Sequence, residues 1–372
     1  MNRIRLILLL LFAAVALAPV RASEPADTAA PALNPKEIMF EHLLDGYGWE
    51  VPFDHHHRIP LPVIVYCNDG LHVFSSSRLE HGQEYTDNGV TFKIGDAGSK
   101  YSGKVVELTP EGEVRPWDFS ITKNVCALII TVLLVTGLML WLASFYRRNP
   151  YKAPRKGLGA IEVVVAFVYD GVVKAILGHN ARRFAPYLMT VFFFILAMNL
   201  LGLVVIFPGG ANLTGNIAVT LVLAVCTFIA TNFFGNKHYW KDIFWPDVPL
   251  WLKVPVPIMP VIEIFGMFTK PAALTIRLFA NMMGGHMIVI TLTLLIFIFS
   301  AISPVAGGGA TVISLIFSIF MLLIDVLVSF IQAYVFTMLS TIFIGLAHEH
   351  EEEKELAKDK GEIGREIVDT LI

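Results

Sequence analysis

Two apolar stretches, residues 261–300 and 311–348, constrain this chain more than anything else in it. Each holds about forty residues, and at about 1.5 Å per residue such a helix is roughly 60 Å long. A bilayer core is only about 30 Å thick. Continuous helices would therefore have to tilt strongly, or else break. Pro271 and the Gly284-Gly285 pair are the candidate kinks, and both outcomes stay open. Residues 301–310 contain Pro304 and three glycines and read as the linker of a hairpin.

The rest of the chain agrees with a membrane setting. Of its 372 residues 55% are hydrophobic and 16% charged, against about 25% charged in a soluble domain. Lys and Arg gather at the edges of apolar runs, so no nucleic-acid surface is expected. Cys126 and Cys226 sit inside such runs, which argues against a disulfide framework with Cys67.

Residues 1–22 have a basic start, an apolar run and small residues at Val20 and Ala22, the pattern of a cleaved signal peptide; an uncleaved anchor helix is the alternative. Residues 23–38, rich in Ala and Pro, read as a linker. Residues 39–116 read as a small β-rich extracytoplasmic domain. Strand compositions at 61–66, 71–75, 90–94 and 104–108 alternate there with the turn formers Asn68-Asp69-Gly70, Asp87-Asn88-Gly89 and Gly95-Asp96.

Residues 117–348 form the membrane domain. The first span, 124–145, ends at Arg147 and Arg148. In 159–177, Ile161, Val164, Val165, Val168, Val172 and Ile176 share one helix face while Glu162, Asp170 and Lys174 share the other. That pattern suits an amphipathic helix at the membrane surface. Residues 185–207 and 213–234 are spans, and 237–253 is interfacial in character. Eight Lys or Arg fall between positions 147 and 183, whereas the loops at 208–212 and 301–310 hold none. The excess of positive charge marks the cytoplasmic side. Residues 349–372 are then a charged cytoplasmic tail. The expected fold is an all-α polytopic membrane protein. It has five transmembrane helices including a long tilted hairpin, one interfacial amphipathic helix, and the β-rich N-terminal extracytoplasmic domain.

Arg277 stands in the middle of the first long stretch. An arginine there costs about 2.5–3.5 kcal/mol on insertion scales. Its guanidinium does not discharge, so it must meet an anion or water. If the hairpin turns between Val305 and Ala306, residue i faces residue 611 − i. His286 then opposes Asp325, and Arg277 lies near Gln332. Asp325, Ser329 and Gln332 are spaced four and three apart and share a face. Arg277, Asn281 and Gly284 lie on one side of the first helix, His286 on the other. The His286/Asp325 pair can hand protons through water, or can be a buried ion pair that only fixes the hairpin. Ser329 and Gln332 suit interhelical hydrogen bonding equally well. Glu263 either anchors the helix end or lines a water path on the inner side.

The strings KPAALTIRLFANMMGGHMIVI (270–290) and IQAYVFTMLSTIFIGLAHEHEE (331–352), with MNLLGLV (198–204), resemble subunit a of F-type ATP synthases over roughly residues 121–353. The resemblance implies a proton-channel subunit of the bacterial inner membrane that is itself non-catalytic and carries no cofactor. Arg277 would be the stator arginine facing a rotor ring of c subunits, supported by Asn281 and Gln332. His286 and Asp325 would hold the paired ionisable positions of the outer half-channel. They are swapped relative to members with Glu at the first and His at the second. Implied partners are the c ring, the peripheral-stalk b subunits, the catalytic head indirectly, and the bilayer. The outer domain has no counterpart in the best-known members. Without the resemblance, a secondary transporter or sensor with a ligand-capturing outer domain is the competing reading. A metal site at Asp54-His55-His56-His57 with His42, His72 and His81 is a weaker one.

Overall fold

The computed structural model describes residues 45–51, 54–95, 99–109, 112–154, 157–204, 210–244 and 258–371. The expected signal peptide and linker lie outside the described residues.

The N-terminal part is β-rich, as expected. Alternation of apolar and polar residues builds β3 (Pro62–Cys67) and β4 (Gly70–Ser75), a tight antiparallel hairpin with Cys67 opposite Gly70. β9 (Trp117–Asp118) adds to the free edge of β3. A second antiparallel sheet runs in the order β5 (Tyr85–Asp87), β6 (Val90–Ile94), β7 (Val105–Thr109), β8 (Gly112–Val114). β1 (Gly48–Val51) pairs with β2 (Asp54–Pro60), the strand that carries the histidine run. Inward residues Val63, Val65, Cys67, Phe74, Leu79, Val90, Phe92 and Val105 form one core. His72 is buried beside Asp87, with Nδ1 2.9 Å from Oδ2. Among the described residues no three metal-ligating side chains converge.

Tyr47 ties β9 to β7 across this core. Its hydroxyl donates to Asp118 and accepts from the Val105 amide at 3.2 Å. Burial, then the Asp118 bond, raises the Tyr47 phenol above its usual range. Burial alone would raise Asp118, but bonds from Ser120 and Tyr47 outweigh it and hold the carboxyl below its usual 3.8. A depressed carboxyl contributes stability above its unfolded value, and that contribution is lost as pH falls through the lower folded value. Asp118→Asn should therefore weaken the outer domain at neutral pH by about 1–3 kcal/mol and flatten its acid sensitivity. Buried Cys67, its thiol pushed up to about 12 by burial and Glu107, is the reporter. Its labelling rate at neutral pH should rise about tenfold or more in the variant, since each 1.4 kcal/mol is a factor of ten.

Helix α1 (Lys123–Arg148) is capped by Thr122, whose side chain accepts from the Val125 amide. The amphipathic segment forms α2 (Gly157–Val168), a π turn at Tyr169–Val173, and α3 (Lys174–Leu177). Val168, Val172, Val173 and Leu177 are buried, and Ile161, Val164 and Val165 pack on the main core. Asp170 and Lys174 stay exposed. The faces fall as the sequence dictates, and the apolar one is covered by the protein's own bundle. α4 (Ala181–Leu203) supplies the largest share of that core, including Phe184, Leu188, Phe192, Ile195 and Met198. α5 (Ile217–Phe233) and the short α6 (Lys237–Phe244) follow.

The two long stretches are single helices, α7 (Ile258–Ile302) and α8 (Pro304–Leu371). α7 runs unbroken through Pro271 and the Gly284-Gly285 pair. The expected ten-residue linker shrinks to Ser303, and α8 also takes in the charged tail. Proline at a helix's first position loses no hydrogen bond, and one of the glycines that suggested a loop, Gly307, allows close approach instead. A Cβ on Gly307 would stand 2.4 Å from Ser300 Oγ. Among the described residues four helical segments are long and apolar enough to cross a membrane: Lys123–Arg148, Gly157–Leu203, Met259–Ala301 and Gly307–His348. The other expected span contracts to α5, whose 17 residues make about 26 Å, just short of a bilayer core.

Candidate functional site

α7 and α8 pack antiparallel, and their side-chain contacts fix the register. Asn281 Nδ2 donates to Gln332 Oε1 at 2.7 Å. The Asp325 carboxylate presses on the α7 backbone at Gly285, where a Cβ would lie 2.8 Å from Oδ1. The Lys270 ammonium sits 5.3 Å from the centre of the Phe343 ring. These pairs sum to 613, 610 and 613, so the hairpin runs within two residues of the register read from the sequence.

Between the two helices and α4 lies a cleft of about 290 Å³, counting its open mouth. Its polar lining is Asn199, Asn281, His286, Asp325, Ser329 and Gln332, with Leu203, Leu278, Met282 and Val328 as apolar walls. His286 spends Nδ1 on the Met282 carbonyl at 3.1 Å. A carbonyl only accepts, so Nδ1 carries the proton, and the Gly202 backbone adds a second hydrogen bond to the ring. Gln332 is 3% exposed, and its Nε2 has no hydrogen-bond partner among the described residues. A buried unmet donor costs about 1–3 kcal/mol, a cost that water entering the cleft would relieve. The cleft thus combines an acid, an imidazole and three amides at the depth of two spanning helices. That is the equipment of a proton or water path rather than of covalent chemistry.

Five of the residues singled out in the sequence meet here: Asn281, His286, Asp325, Ser329 and Gln332. Arg277 does not. It is exposed, between the buried Leu274 and Leu278, and has no hydrogen-bond or ion-pair partner among the described residues. Ile276 beside it is exposed, and so is Asn281 one turn further along α7.

Glu263 lies apart as well. After burial, its charge is what raises the Tyr239 phenol on α6. Near that end is a second cleft, of about 310 Å³, with Thr227, Thr231, Asn232, Tyr239 and Lys270 as its polar lining. Tyr239 donates to Asn232 Oδ1 at 3.2 Å.

Comparison with known proteins decides the family. The profile described as ATP synthase A chain matches residues 125–345, more than half of the chain. The chain belongs to the ATP synthase A chain family. Its relatives include the ATP synthase subunit a 2 of Chlorobaculum tepidum, 43% identical over 66% of this chain and 68% of the relative. The ATP synthase subunit a of Chlorobium phaeobacteroides is 40% identical over 74% and 79%, and that of Myxococcus xanthus 40% over 66% and 82%. A second profile, described as a domain of unknown function, matches residues 38–119. The family match thus contains both clefts and Arg277, and the β-rich part falls under the second profile. With the four apolar helices, membership makes the chain a multi-pass membrane protein.

The sequence reading gave no role to Asn199. Its Oδ1 accepts from buried Thr214 at 2.8 Å, and Asn212 caps the same turn by accepting from the Gly215 amide at 2.9 Å. This network ties the α4–α5 connection to one wall of the first cleft. The signal was available, since an asparagine inside an apolar span seldom lacks a buried partner. The second cleft was less visible, because Asn232 and Tyr239 come together only through the turn between α5 and α6.

Proposed function

We propose that this chain is the proton-translocating stator of an F-type ATP synthase, forming two offset half-channels against a rotor ring of c subunits. The observation that carries this reading is Arg277, an exposed cation within a spanning helix that has no partner among the described residues. Such a charge is not left facing lipid. An apolar partner helix bearing a carboxylate satisfies the charge, and a nearby cation favours the ionised carboxylate.

The cleft holding His286 and Asp325 is the outer half-channel, passing protons from one side of the membrane to the ring. Asn281 and Gln332 position the α7 backbone one turn from Arg277, and Ser329 adds a hydroxyl to the path. The inner half-channel opens on the Glu263 side. A ring carboxylate is protonated from the first, travels through lipid, and discharges into the second. Arg277 disfavours a protonated site beside it and blocks direct leakage. One charge crossing 100 mV is worth about 2.3 kcal/mol, so several protons must pass per ATP. This chain breaks no covalent bond.

In this arrangement five helices cross the bacterial inner membrane, with α5 as the shortest and the α7–α8 hairpin strongly tilted. The α2–α3 segment lies at the cytoplasmic interface, the β-rich domain lies outside, and the tail of α8 is cytoplasmic. Peripheral-stalk b subunits hold the chain against rotation and link it to the catalytic head. Isolation in mild detergent tests the reading. Recovery with a small hydrophobic ring protein and an ATPase head is expected, and recovery of an intact chain with neither would contradict it.

A further inference from the structure

The three-stranded sheet β4-β3-β9 has an unusual outer face. An antiparallel sheet covering a core on one side normally alternates, with polar residues outward. Here the inward set is apolar as it should be, with Val63, Val65, Cys67 and Phe74 in the domain core. The outward set is apolar too. Tyr66, Leu71, Val73, Trp117 and Phe119 are 51%, 60%, 58%, 74% and 64% exposed. The register makes them neighbours: Tyr66 opposes Leu71 on one side and Trp117 on the other, and Val73 opposes Ile64. None of them is charged.

The chain beyond β9 leads this face to the membrane. Phe119 and Ile121 continue the pairing, their amides bonding Ile64 O at 2.9 Å and Pro62 O at 3.1 Å. Two residues later α1 begins, fastened by the Lys123 amide to Gly46 O at 2.9 Å and the Asn124 amide to Asp45 Oδ1 at 3.1 Å. Outward side chains alternate down this strand as Trp117, Phe119 and Ile121. They run on into the exposed Val125, Ile129 and Leu133 of α1, the surface that meets lipid. Even fully extended, the chain from Phe119 to Lys123 spans no more than about 14 Å, so the sheet stays close to the bilayer surface. Trp and Tyr favour that boundary, where a ring is apolar on one side and wet on the other.

We propose that the outward face of the β4-β3-β9 sheet lies flat in the lipid headgroup layer at the N-terminal end of α1, making the outer domain a membrane-seated platform. The occupant is the lipid surface, because the face is continuous with the lipid-facing surface of α1. This holds whatever ion the long hairpin conducts.

Spin labels at Leu71→Cys and Val73→Cys test it. The background is the full chain with Cys67, Cys126 and Cys226 replaced by Ala, assembled in its complex and reconstituted into phosphatidylcholine–phosphatidylglycerol vesicles. Both positions are exposed, so the labels leave the domain core intact. Collision with oxygen, which concentrates in lipid, is compared with collision with a water-soluble nickel chelate. Glu84→Cys on the far loop is the water-facing reference. The ratio of oxygen to nickel accessibility at positions 71 and 73 should be several-fold above that at 84. A ratio equal to that at 84 would overturn the proposal. So would labels shielded from both reagents, which would mean that a protein covers the face.

Discussion

Replacing Arg277 with Ala should abolish proton-driven ATP synthesis while the complex still assembles. The side chain is exposed, and among the described residues it bonds to nothing within its own chain, so its removal leaves no cavity and no orphaned partner. Surface changes of that kind are usually within about 0.5 kcal/mol in stability. The loss should therefore appear in turnover and not in yield of the complex. Arg277→Lys should fail in synthesis too. A compact ammonium lacks the planar fork of guanidinium and sheds its proton far more readily when desolvated. Synthesis driven by an imposed proton gradient in inverted vesicles, normalised to assembled complex, is the measurement. Normal coupled synthesis in Arg277→Ala would remove the arginine from the mechanism.

The second large effect belongs to the cleft that holds His286 and Asp325. His286→Ala and Asp325→Ala should each slow passive proton flux through vesicles stripped of the catalytic head. The double variant should lose much less than the sum of the single losses in free energy, because residues in one network do not act independently. Both side chains line one cleft, with the Asp325 carboxylate against the backbone at Gly285, adjacent to His286. A water path broken once is not broken much further by a second cut. Strict additivity would show two unconnected roles.

The hairpin register could be read from the sequence because polar side chains deep in apolar helices must find one another. Gln332, expected near Arg277, bonds instead to Asn281 one turn along at 2.7 Å, a shift of two residues from the register of a turn at Val305. The four core strands of the outer domain were readable for a related reason, since period-two alternation in Val, Ile, Phe and Tyr leaves few alternatives. β1, β2, β5, β8 and β9 were not foreseen. They are edge strands, two to four residues long except for the polar, histidine-rich β2, and owe their pairing to neighbours rather than to their own composition. Glycine and proline misled the reading at residues 301–310. Local propensity favours a loop there, but close packing of Gly307 on Ser300 carries the helix through. The same kind of tertiary contact, Thr214 on Asn199, made one wall of the cleft invisible to periodicity.

The most direct test is whether a rotor helix covers Arg277 in the assembled complex. Ile276 is 60% exposed beside the arginine, so a photoreactive benzoylphenylalanine fits there without disturbing the core. Irradiation of the assembled complex should join this chain to the small ring subunit. Adducts with lipid alone, from a complex shown to retain its ring, would contradict the account.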